Sequence, residues 1–529
     1  MERSVVLISN GDMREAANKE CWPMQEETLN GVIAAFAKLG VKAKEVTLCA
    51  LGAPHRFLAR QADGLRLFAE KVDPDAIVVI VLSCWAYAHH VASALKNHRG
   101  PILLLANFDG TWPGLVALLN HAATLERMAI PHSRIWSGDL EKDAEFLRRL
   151  AVFVETGKIG YNSDCFVDAA DLTFSDSVLS LAGELAADIR LHPRLMGQFD
   201  PATCMGMLNA DFDPGELAAC GFPLEALSQS DLTAEMGLVS DGVASGHYEW
   251  LRNRGANFHF ETGLTEDQVR SQMRMYDAGG QLHHRWGLAA MGVPYQPGLM
   301  RCVPASDLPE GMWNNPDRPE IIGPNGVVVA AGKPIVHFNE GDIGSGLIQV
   351  VMGDVAKRRQ LPLANTLHDV RWGLQLPNGR WVWVLLISGA APPEHFGGWS
   401  KAHIYRQAKM YFGLGGGTCS GVTRPGIITW GRAWQNAKGR ICVDVGLGEV
   451  QSLEPEFVKD VLDKTTKEWP VAMTWIPGYG RDELMGNHMS NHITIGFGDM
   501  VDELAWTFVK LGVPVRVAHE SRRVLRQAA

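Results

Sequence analysis

Three separated segments of this sequence each offer one side chain that can bind a divalent cation. Glu340 follows the predicted strand 335–338, Asp369 ends the segment 365–369, and His492 ends the polar segment 486–492. Two carboxylates and one imidazole can hold a divalent ion and leave half of an octahedral shell for substrate oxygens. These residue types therefore predict an enzyme rather than a passive binding module.

Each of the three residues also has an ordinary structural interpretation. Glu340 equally suits an acidic residue at a helix N-terminus, where it favours the helix dipole. Asp369, next to Arg371, is more typical of a surface ion pair. His488 and His492 have an H-x-x-x-H spacing but lack the glutamate of a zinc motif, and such a pair is more often part of a polar loop. Spacing alone does not show that the three residues meet.

The elements that must position these residues follow an α/β pattern at first. Short, uniformly apolar strands at 5–8, 76–82 and 102–105 alternate with helix-like segments. This pattern predicts a parallel sheet covered on both faces, with ligands bound beyond the carboxyl ends of its strands. A second α/β region ends in the strand 334–338, two residues before Glu340. After residue 358, strand-like runs between glycines and prolines predict a β-rich domain.

We therefore predict an α/β protein with two parallel-sheet α/β domains of the Rossmann or flavodoxin-like type, followed by a β-rich C-terminal domain. The predicted spans are 1–160, 161–357 carrying Glu340, and 358–529 carrying Asp369 and His492. The sequence has no dinucleotide-binding fingerprint after its first strand and no G-x-x-x-x-G-K-[ST] motif. The glycine-rich stretch 413–417 is more typical of a tight turn than of a phosphate-binding loop.

Composition and charge restrict the partners. The chain has 529 residues, which is too long for one compact core, and a formal net charge of −10, which disfavours a nucleic-acid partner. Its nine cysteines are odd in number, scattered and without a C-x-x-C pair, as is typical of reduced thiols in the cytoplasm. No apolar run approaches the length of a membrane span. We expect a soluble, cytoplasmic protein that binds neither nucleic acid nor membranes.

In this order, the three segments resemble the metal-binding motifs of the L-fucose isomerase family. The family pattern has a glutamate with an aspartate two residues later (Glu340 and Asp342), an Asp-Val-Arg (369–371) and a late Asn-His (Asn491 and His492). The segments 84–87, 107–114 and 462–475 are similar to further family motifs. The chain differs at Thr418, where the family usually has a tyrosine after its glycine run. It is therefore expected to be a divergent member, with its own sugar specificity.

The resemblance implies a metal-dependent aldose–ketose isomerase that converts a free sugar or deoxysugar to its ketose through a cis-enediol. Glu340 and Asp369 would serve both as metal ligands and as acid–base catalysts, and His492 would be the third ligand. The oxygen-rich donor set favours Mn²⁺, although other divalent cations would also fit. The resemblance also implies a homo-oligomer, a hexamer in relatives. It assigns sugar contacts to Arg14, Trp85, Gln296, Trp475 and Asn491.

Several alternatives stay open at this point. Trp85 and Trp475 also suit a hydrophobic core, and Arg14 suits an exposed surface charge. The same metal site would serve an anionic sugar such as a sulfo-sugar, for which the cationic segment 283–286 is a candidate, although a polar helix end is its commoner meaning. The site would also serve epimerisation through the same enediol. A non-catalytic sugar-binding relative is disfavoured because all three candidate ligands are present.

Overall fold

The computed structural model describes residues 4–50, 52–107, 110–161, 164–200, 206–296, 298–330, 332–376 and 378–528. Phe108 and Asp109, in one of the family-like segments, and Cys204 lie outside these ranges. Within them the chain is a mixed α/β protein with parallel sheets and a β-rich C-terminal sheet. No helix in the described ranges is long and apolar enough to cross a membrane.

The N-terminal strands form a five-stranded parallel sheet in the order β2-β1-β3-β4-β5. Its strands are β1 (Ser4–Ser9), β2 (Lys42–Glu45), β3 (Ile77–Leu82), β4 (Ile102–Asn107) and β5 (Ser133–Ser137). Its helices are α1 (Glu15–Lys38), α2 (Gln61–Lys71), α3 (His89–Leu95), α4 (Gly114–Arg127) and α5 (Ala144–Thr156). The chain leaves β1 for β2 on one side and returns to β3 on the other, so a crevice opens beyond the carboxyl ends of β1 and β3. Residues 10–14 and 83–85 occupy those ends.

The next stretch contributes a four-stranded parallel sheet in the order β13-β10-β7-β8. The strands of this stretch are β6 (Phe166–Asp168), β7 (Met196–Phe199), β8 (Leu224–Leu227), β9 (Asn257–Phe258), β10 (Ala290–Val293), β11 (Ile321–Ile322), β12 (Val328–Ala330) and β13 (His337–Asn339). Its helices are α6 (Asp176–Leu191), α7 (Pro214–Ala219), α8 (Gln229–Leu238), α9 (Asp241–Asn253), α10 (Glu266–Arg285), α11 (Asp307–Trp313) and α12 (Ile343–Arg359). Gln296 follows β10 and Glu340 follows β13. Because the two strands are parallel neighbours, both residues lie beyond the carboxyl ends of the strands, on the same side of the sheet.

The C-terminal sheet contains a closed barrel of antiparallel strands. The strands in this part of the chain are β14 (Asn365–Gln375), β15 (Trp381–Leu386), β16 (His403–Ile404), β17 (Gly426–Gln435), β18 (Ile441–Val450), β19 (Val471–Trp475), β20 (His492–Phe497) and β21 (Val515–Ala518). Of these, β16 pairs with β9 in a separate two-stranded sheet. The helices are α13 (Pro455–Lys464), α14 (Arg481–Asn487), α15 (Val501–Lys510) and α16 (His519–Ala528). The order β17-β20-β14-β15-β19-β18 closes because β17 also pairs with β18. β21 and β6 extend the sheet beyond β18, so the second and third predicted spans contribute strands to one sheet. The domain boundaries given above stay a prediction.

A tight contact between β10 and β13 sets the position of the turn that carries Glu340. The added methyl group of a Gly292→Ala variant would overlap the ring of Phe338, which is fully buried. Overpacking of this kind lowers the free energy of unfolding by about 1–3 kcal/mol. Urea unfolding would measure the loss.

Gly183→Ala, in α6, is the matched control, because nothing lies within 4 Å of the added carbon. Replacing a glycine inside a helix should raise the free energy of unfolding by about 0.5–1 kcal/mol. Equal stabilities for the two variants would contradict the proposed contact.

Candidate active site

Glu340 lies in a strained turn between β13 and α12. Its φ is 56° and that of the following Gly341 is 68°, so two successive residues have left-handed backbone conformations. This conformation is uncommon for a residue other than glycine and costs about 1–3 kcal/mol where it occurs. The turn is held by its surroundings: Gln198 donates to the carbonyl of Gly341 at 3.1 Å, and Asp342 caps α12. The turn directs the Glu340 carboxylate inward, and the residue is only 8% exposed.

Asp369 and His492 meet because β14 and β20 are paired in the barrel. The two residues are directly opposite each other in the antiparallel register, which puts their side chains on the same face. Nε2 of His492 is 3.4 Å from Oδ1 of Asp369 and 3.6 Å from Oε2 of Glu340. The structure therefore brings together the three side chains that the sequence singled out.

The donor set suits a divalent cation. Nε2 of His492 is buried without a hydrogen-bond partner and faces the two carboxylates. Buried carboxylates around such a nitrogen require a positive charge, which either a ring proton or a cation supplies. Donors around an ion with bonds of about 2.1 Å lie about 3 Å apart, close to the separations seen here. Among the described residues, no group of three His, Cys, Asp or Glu side chains already has the arrangement of a formed metal site, so these are candidate ligands.

Asp342 orients the imidazole from the other side. Its Oδ2 accepts from Nδ1 of His492 at 2.7 Å, and Nη1 of the buried Arg432 also donates to this oxygen. Burial alone would raise the pKa of Asp342, but Arg432 and His492 hold that pKa well below its usual range. Burial likewise opposes the charge on His492, but Asp342, Asp369 and Glu340 together hold its pKa well above the usual range. A hydrogen-bonded carboxylate of this kind fixes the direction in which the other ring nitrogen points.

A cleft opens in front of Glu340 and Asp369. Its other lining residues come from all three parts of the chain: Arg14, Trp85, Pro113, Val116, Tyr295, Gln296, Ser388, Tyr411, Phe412 and Trp469. The carboxyl ends of both parallel sheets thus meet at this cleft, where ligands of such sheets bind. A larger groove opens at the N-terminal ends of β4 and β5, away from these strand ends.

Three of the five predicted sugar-binding residues line this cleft, namely Arg14, Trp85 and Gln296. Arg14 makes two hydrogen bonds to Asp12, at 2.9 and 2.6 Å, while its Nη1 is buried without a partner. Gln296 accepts from the hydroxyl of Tyr87 at 2.6 Å, and its amide nitrogen is 3.5 Å from Oε1 of Glu340. These two side chains present polar groups to the cleft.

The other two predicted residues lie elsewhere. Asn491 sits behind the cleft, where its side-chain amide donates to Oδ1 of Asp369 at 3.1 Å. Trp475 does not line the cleft, because its phase on β19 directs it to the face packed against α13, where Arg380 stacks on it at 4.0 Å. Trp469, earlier in the same segment, lines the cleft instead.

Sequence reasoning missed several lining residues, including Tyr295, Ser388, Tyr411, Phe412 and Trp469. Tyr295 adjoins the predicted Gln296, which was a usable signal. Thr418 replaces the expected tyrosine and is buried, whereas Tyr411 and Phe412 reach the cleft from before the glycine run. In that run, Gly415 and Gly416 have φ values of 73° and 105°, as in the predicted tight turn.

Two further histidine segments lie outside the cleft lining. The ring of His488 contacts the Tyr479 hydroxyl at 3.1 Å and the His492 carbonyl at 3.2 Å. It therefore supports the barrel wall beside His492. The cationic segment 283–286 lies at the C-terminal end of α10, where Arg285 pairs with Glu235 at 2.8 Å. The polar helix end is thus the interpretation that fits this segment.

Comparison with known families identifies a match in the C-terminal part of the chain. Residues 388–519 match the family model described as L-fucose isomerase, C-terminal domain. This span includes His492, the cleft residues from Ser388 to Trp469, and most of the barrel. A comparison with curated proteins found no match.

The buried pair of Arg432 and Asp342 should be essential for stability. In Arg432→Met the Asp342 carboxylate stays buried without its cation, and breaking a buried pair in this way costs about 3–5 kcal/mol. Urea unfolding at neutral pH measures this loss. The control is Arg440→Met, because the side chain of Arg440 is 55% exposed and its Nε is 3.5 Å from Glu216. That variant should lose less than about 1 kcal/mol. A similar loss in both variants would contradict the role given to Arg432.

Proposed function

We propose that this chain, whose residues 388–519 match the C-terminal domain of L-fucose isomerase, is a member of that family and a metal-dependent aldose–ketose isomerase acting on a free sugar. The observation that carries the proposal is the convergence of Glu340, Asp369 and His492 at a cleft with aromatic walls. Family membership implies an isomerase of this reaction type. The metal, the enediol route and the individual roles given below are proposals.

The reaction moves a proton between C2 and C1 of an open-chain sugar through a cis-enediol. Its barrier arises because a carbon next to a carbonyl is a poor acid. One carboxylate must accept the carbon-bound proton, and a second group must move a proton between the two oxygens. Glu340 and Asp369 suit these tasks, because both carboxylates line the cleft. A cis-enediol keeps both oxygens on one side, within reach of both carboxylates.

Glu340, Asp369 and His492 are the residues that would hold the cation. When bound, a divalent ion such as Mn²⁺ polarises the sugar carbonyl and stabilises the enediolate, an effect worth several kcal/mol. Asp342 keeps the Nε2 side of the His492 ring directed at the two carboxylates. A set of two carboxylates and one imidazole favours Mn²⁺ over zinc, which prefers more nitrogen and sulfur ligands.

The cleft favours a neutral sugar over an anionic one. Arg14 is the cation that lines it, and Asp12 already neutralises that charge. The unpartnered Nη1 of Arg14 suits a sugar hydroxyl, which accepts a hydrogen bond without bringing charge. Trp85, Phe412 and Trp469 supply apolar walls for the carbon-bound hydrogens of the sugar and exclude water. The segment 283–286 lies away from the cleft and gives an anionic group no partner there.

Replacing Glu340 should remove the chemistry and preserve the fold. Glu340→Gln keeps the shape of the side chain but cannot accept a proton, so turnover should fall by about 10³-fold or more. The measurement is ketose formation from each of a panel of aldoses with Mn²⁺ present, with circular dichroism to check folding. Glu456→Gln, exposed on α13, is the matched control and should retain full activity. Undiminished turnover in Glu340→Gln would refute the mechanism.

Activity should depend on a bound divalent cation. Dialysis against a chelator should abolish turnover, and Mn²⁺ should restore it in the wild type. In His492→Ala, the loss of one of three ligands should weaken Mn²⁺ binding by at least about 10-fold in calorimetric titration. The sugar panel should include neutral deoxysugars, pentoses and sulfo-sugars, with products analysed for ketose and for epimer. Activity that resists the chelator would exclude the metal mechanism. An epimer as the product, in place of a ketose, would show that the reaction is epimerisation and not isomerisation.

A further inference from the structure

A buried chain of hydrogen-bonding groups connects Glu340 with a second acid, Asp307, behind the cleft. Oη of Tyr295 is 3.0 Å from Oε1 of Glu340 and 2.8 Å from Oγ of Ser388. Oγ of Ser388 is in turn 3.2 Å from Oδ1 of Asp307, at the start of α11. All four side chains are buried, and Asp307 is fully inaccessible. The chain thus runs from the cleft into the protein interior.

The number of protons in this series of hydrogen-bonding groups follows from elementary chemistry. It contains three oxygen–oxygen contacts, but its two hydroxyl groups supply only two protons. An ionised carboxylate can accept hydrogen bonds and cannot donate one. All three contacts are therefore hydrogen bonds only if one of the two terminal acids carries a proton.

The surroundings of the two acids indicate which one is protonated. Glu340 faces donors on both oxygens, with the Gln296 amide 3.5 Å from Oε1 and the His492 imidazole 3.6 Å from Oε2. Asp307 pairs with no Lys, Arg or His side chain in the described residues, and its Oδ2 is buried without a partner. A buried acid without a counter-charge takes up a proton instead of remaining ionised.

Electrostatics support the same assignment. Burial, with a smaller contribution from the charge of Glu340, raises the pKa of Asp307 to about 7, although hydrogen bonds from Gln407 and Ser388 act to lower it. Burial also raises the pKa of Glu310, on the next turn of α11, well above its usual range. Glu310 contacts Asn339 and His337 and is not part of the hydroxyl chain. It therefore serves as a comparison residue on the same helix.

We propose that Asp307 is a neutral, protonated acid that acts as a positioning residue for Glu340 through Ser388 and Tyr295. The proposal rests on the proposed function, in which Glu340 is an acting carboxylate. With its proton, Asp307 donates to Ser388, Ser388 donates to Tyr295, and Tyr295 donates to Oε1 of Glu340. This order holds Oε1 in place and leaves Oε2 directed toward His492. Without that proton, Ser388 donates to Asp307 instead and no longer donates to Tyr295.

Kinetics of three variants test the positioning role. Asp307→Asn keeps a neutral donor at the same place, so its turnover should stay within about threefold of the wild type. Asp307→Ala and Ser388→Ala each remove a hydrogen bond of this series, so their kcat should fall by about 10-fold at nearly constant KM. Rescue by asparagine relative to alanine supports a neutral donor. An Asp307→Asn variant as impaired as Asp307→Ala would overturn the proposal, because an ionised Asp307 cannot be replaced by an amide.

Infrared spectroscopy tests the protonation state without sugar or added metal. At pH 6 the wild type should show a carbonyl band of a protonated carboxyl group that is absent in Asp307→Asn. The same band should shift in Ser388→Ala, which removes the acceptor, so the test does not depend on the folding of the asparagine variant. The proposal would be overturned if Asp307→Asn lost a carboxylate band and no acid band. It would also be overturned if the acid band did not shift in Ser388→Ala.

Glu310→Gln is the matched control for the spectra. It removes a buried acid from the same helix, and the Asp307 band should persist in it; disappearance of that band would overturn its assignment to Asp307. A failure of the proposed function is distinguishable from a failure of this proposal. Absence of turnover on every sugar would refute the isomerase, whereas the infrared bands still decide the state of Asp307.

Discussion

The structure depends on one buried imidazole that is held by carboxylates on both of its sides. Nδ1 of His492 forms a hydrogen bond with Asp342, and Nε2 faces Glu340 and Asp369. Such a cluster is unstable unless positive charge balances it, and Arg432 supplies part of that charge from within the barrel. The remaining charge belongs at Nε2, either as a proton or as a cation. The composition of the cluster thus makes this place the candidate reaction centre.

Two kinds of backbone position this cluster. The closed barrel fixes Asp369 and His492 through strand register, which tolerates little movement because every strand is paired on both sides. Glu340 instead comes from a turn at the edge of a parallel sheet, held by a few contacts around Gly341. The N-terminal sheet adds Arg14 and Trp85 from two neighbouring strand ends. No part of the chain forms the cleft alone, so folding of the three parts and assembly of the site are coupled.

Much of this arrangement could be predicted from sequence where local rules apply. Apolar strands separated by helices indicated the parallel sheets, and the rule that ligands bind at carboxyl ends indicated the place of Trp85. The meeting of Glu340, Asp369 and His492 came from family resemblance, because strand register over long distances cannot be inferred from spacing. Trp475 was predicted to line the sugar site, but Trp469 lines the cleft instead. The face of β19 on which a side chain lies depends on the phase of the strand, which the sequence alone did not reveal. Asp307 was missed because an acid at a helix start is usually solvated.

The left-handed backbone of Glu340 has a consequence for protein engineering. A residue with φ of 56° is one that stability-guided design would replace with glycine, since glycine adopts this conformation freely. The same replacement would delete the carboxylate on which the cleft is centred. At position 340, a gain in thermal stability therefore conflicts with the proposed chemistry. A sequence optimised for folding alone would discard the carboxylate that we propose as a metal ligand and acid–base group.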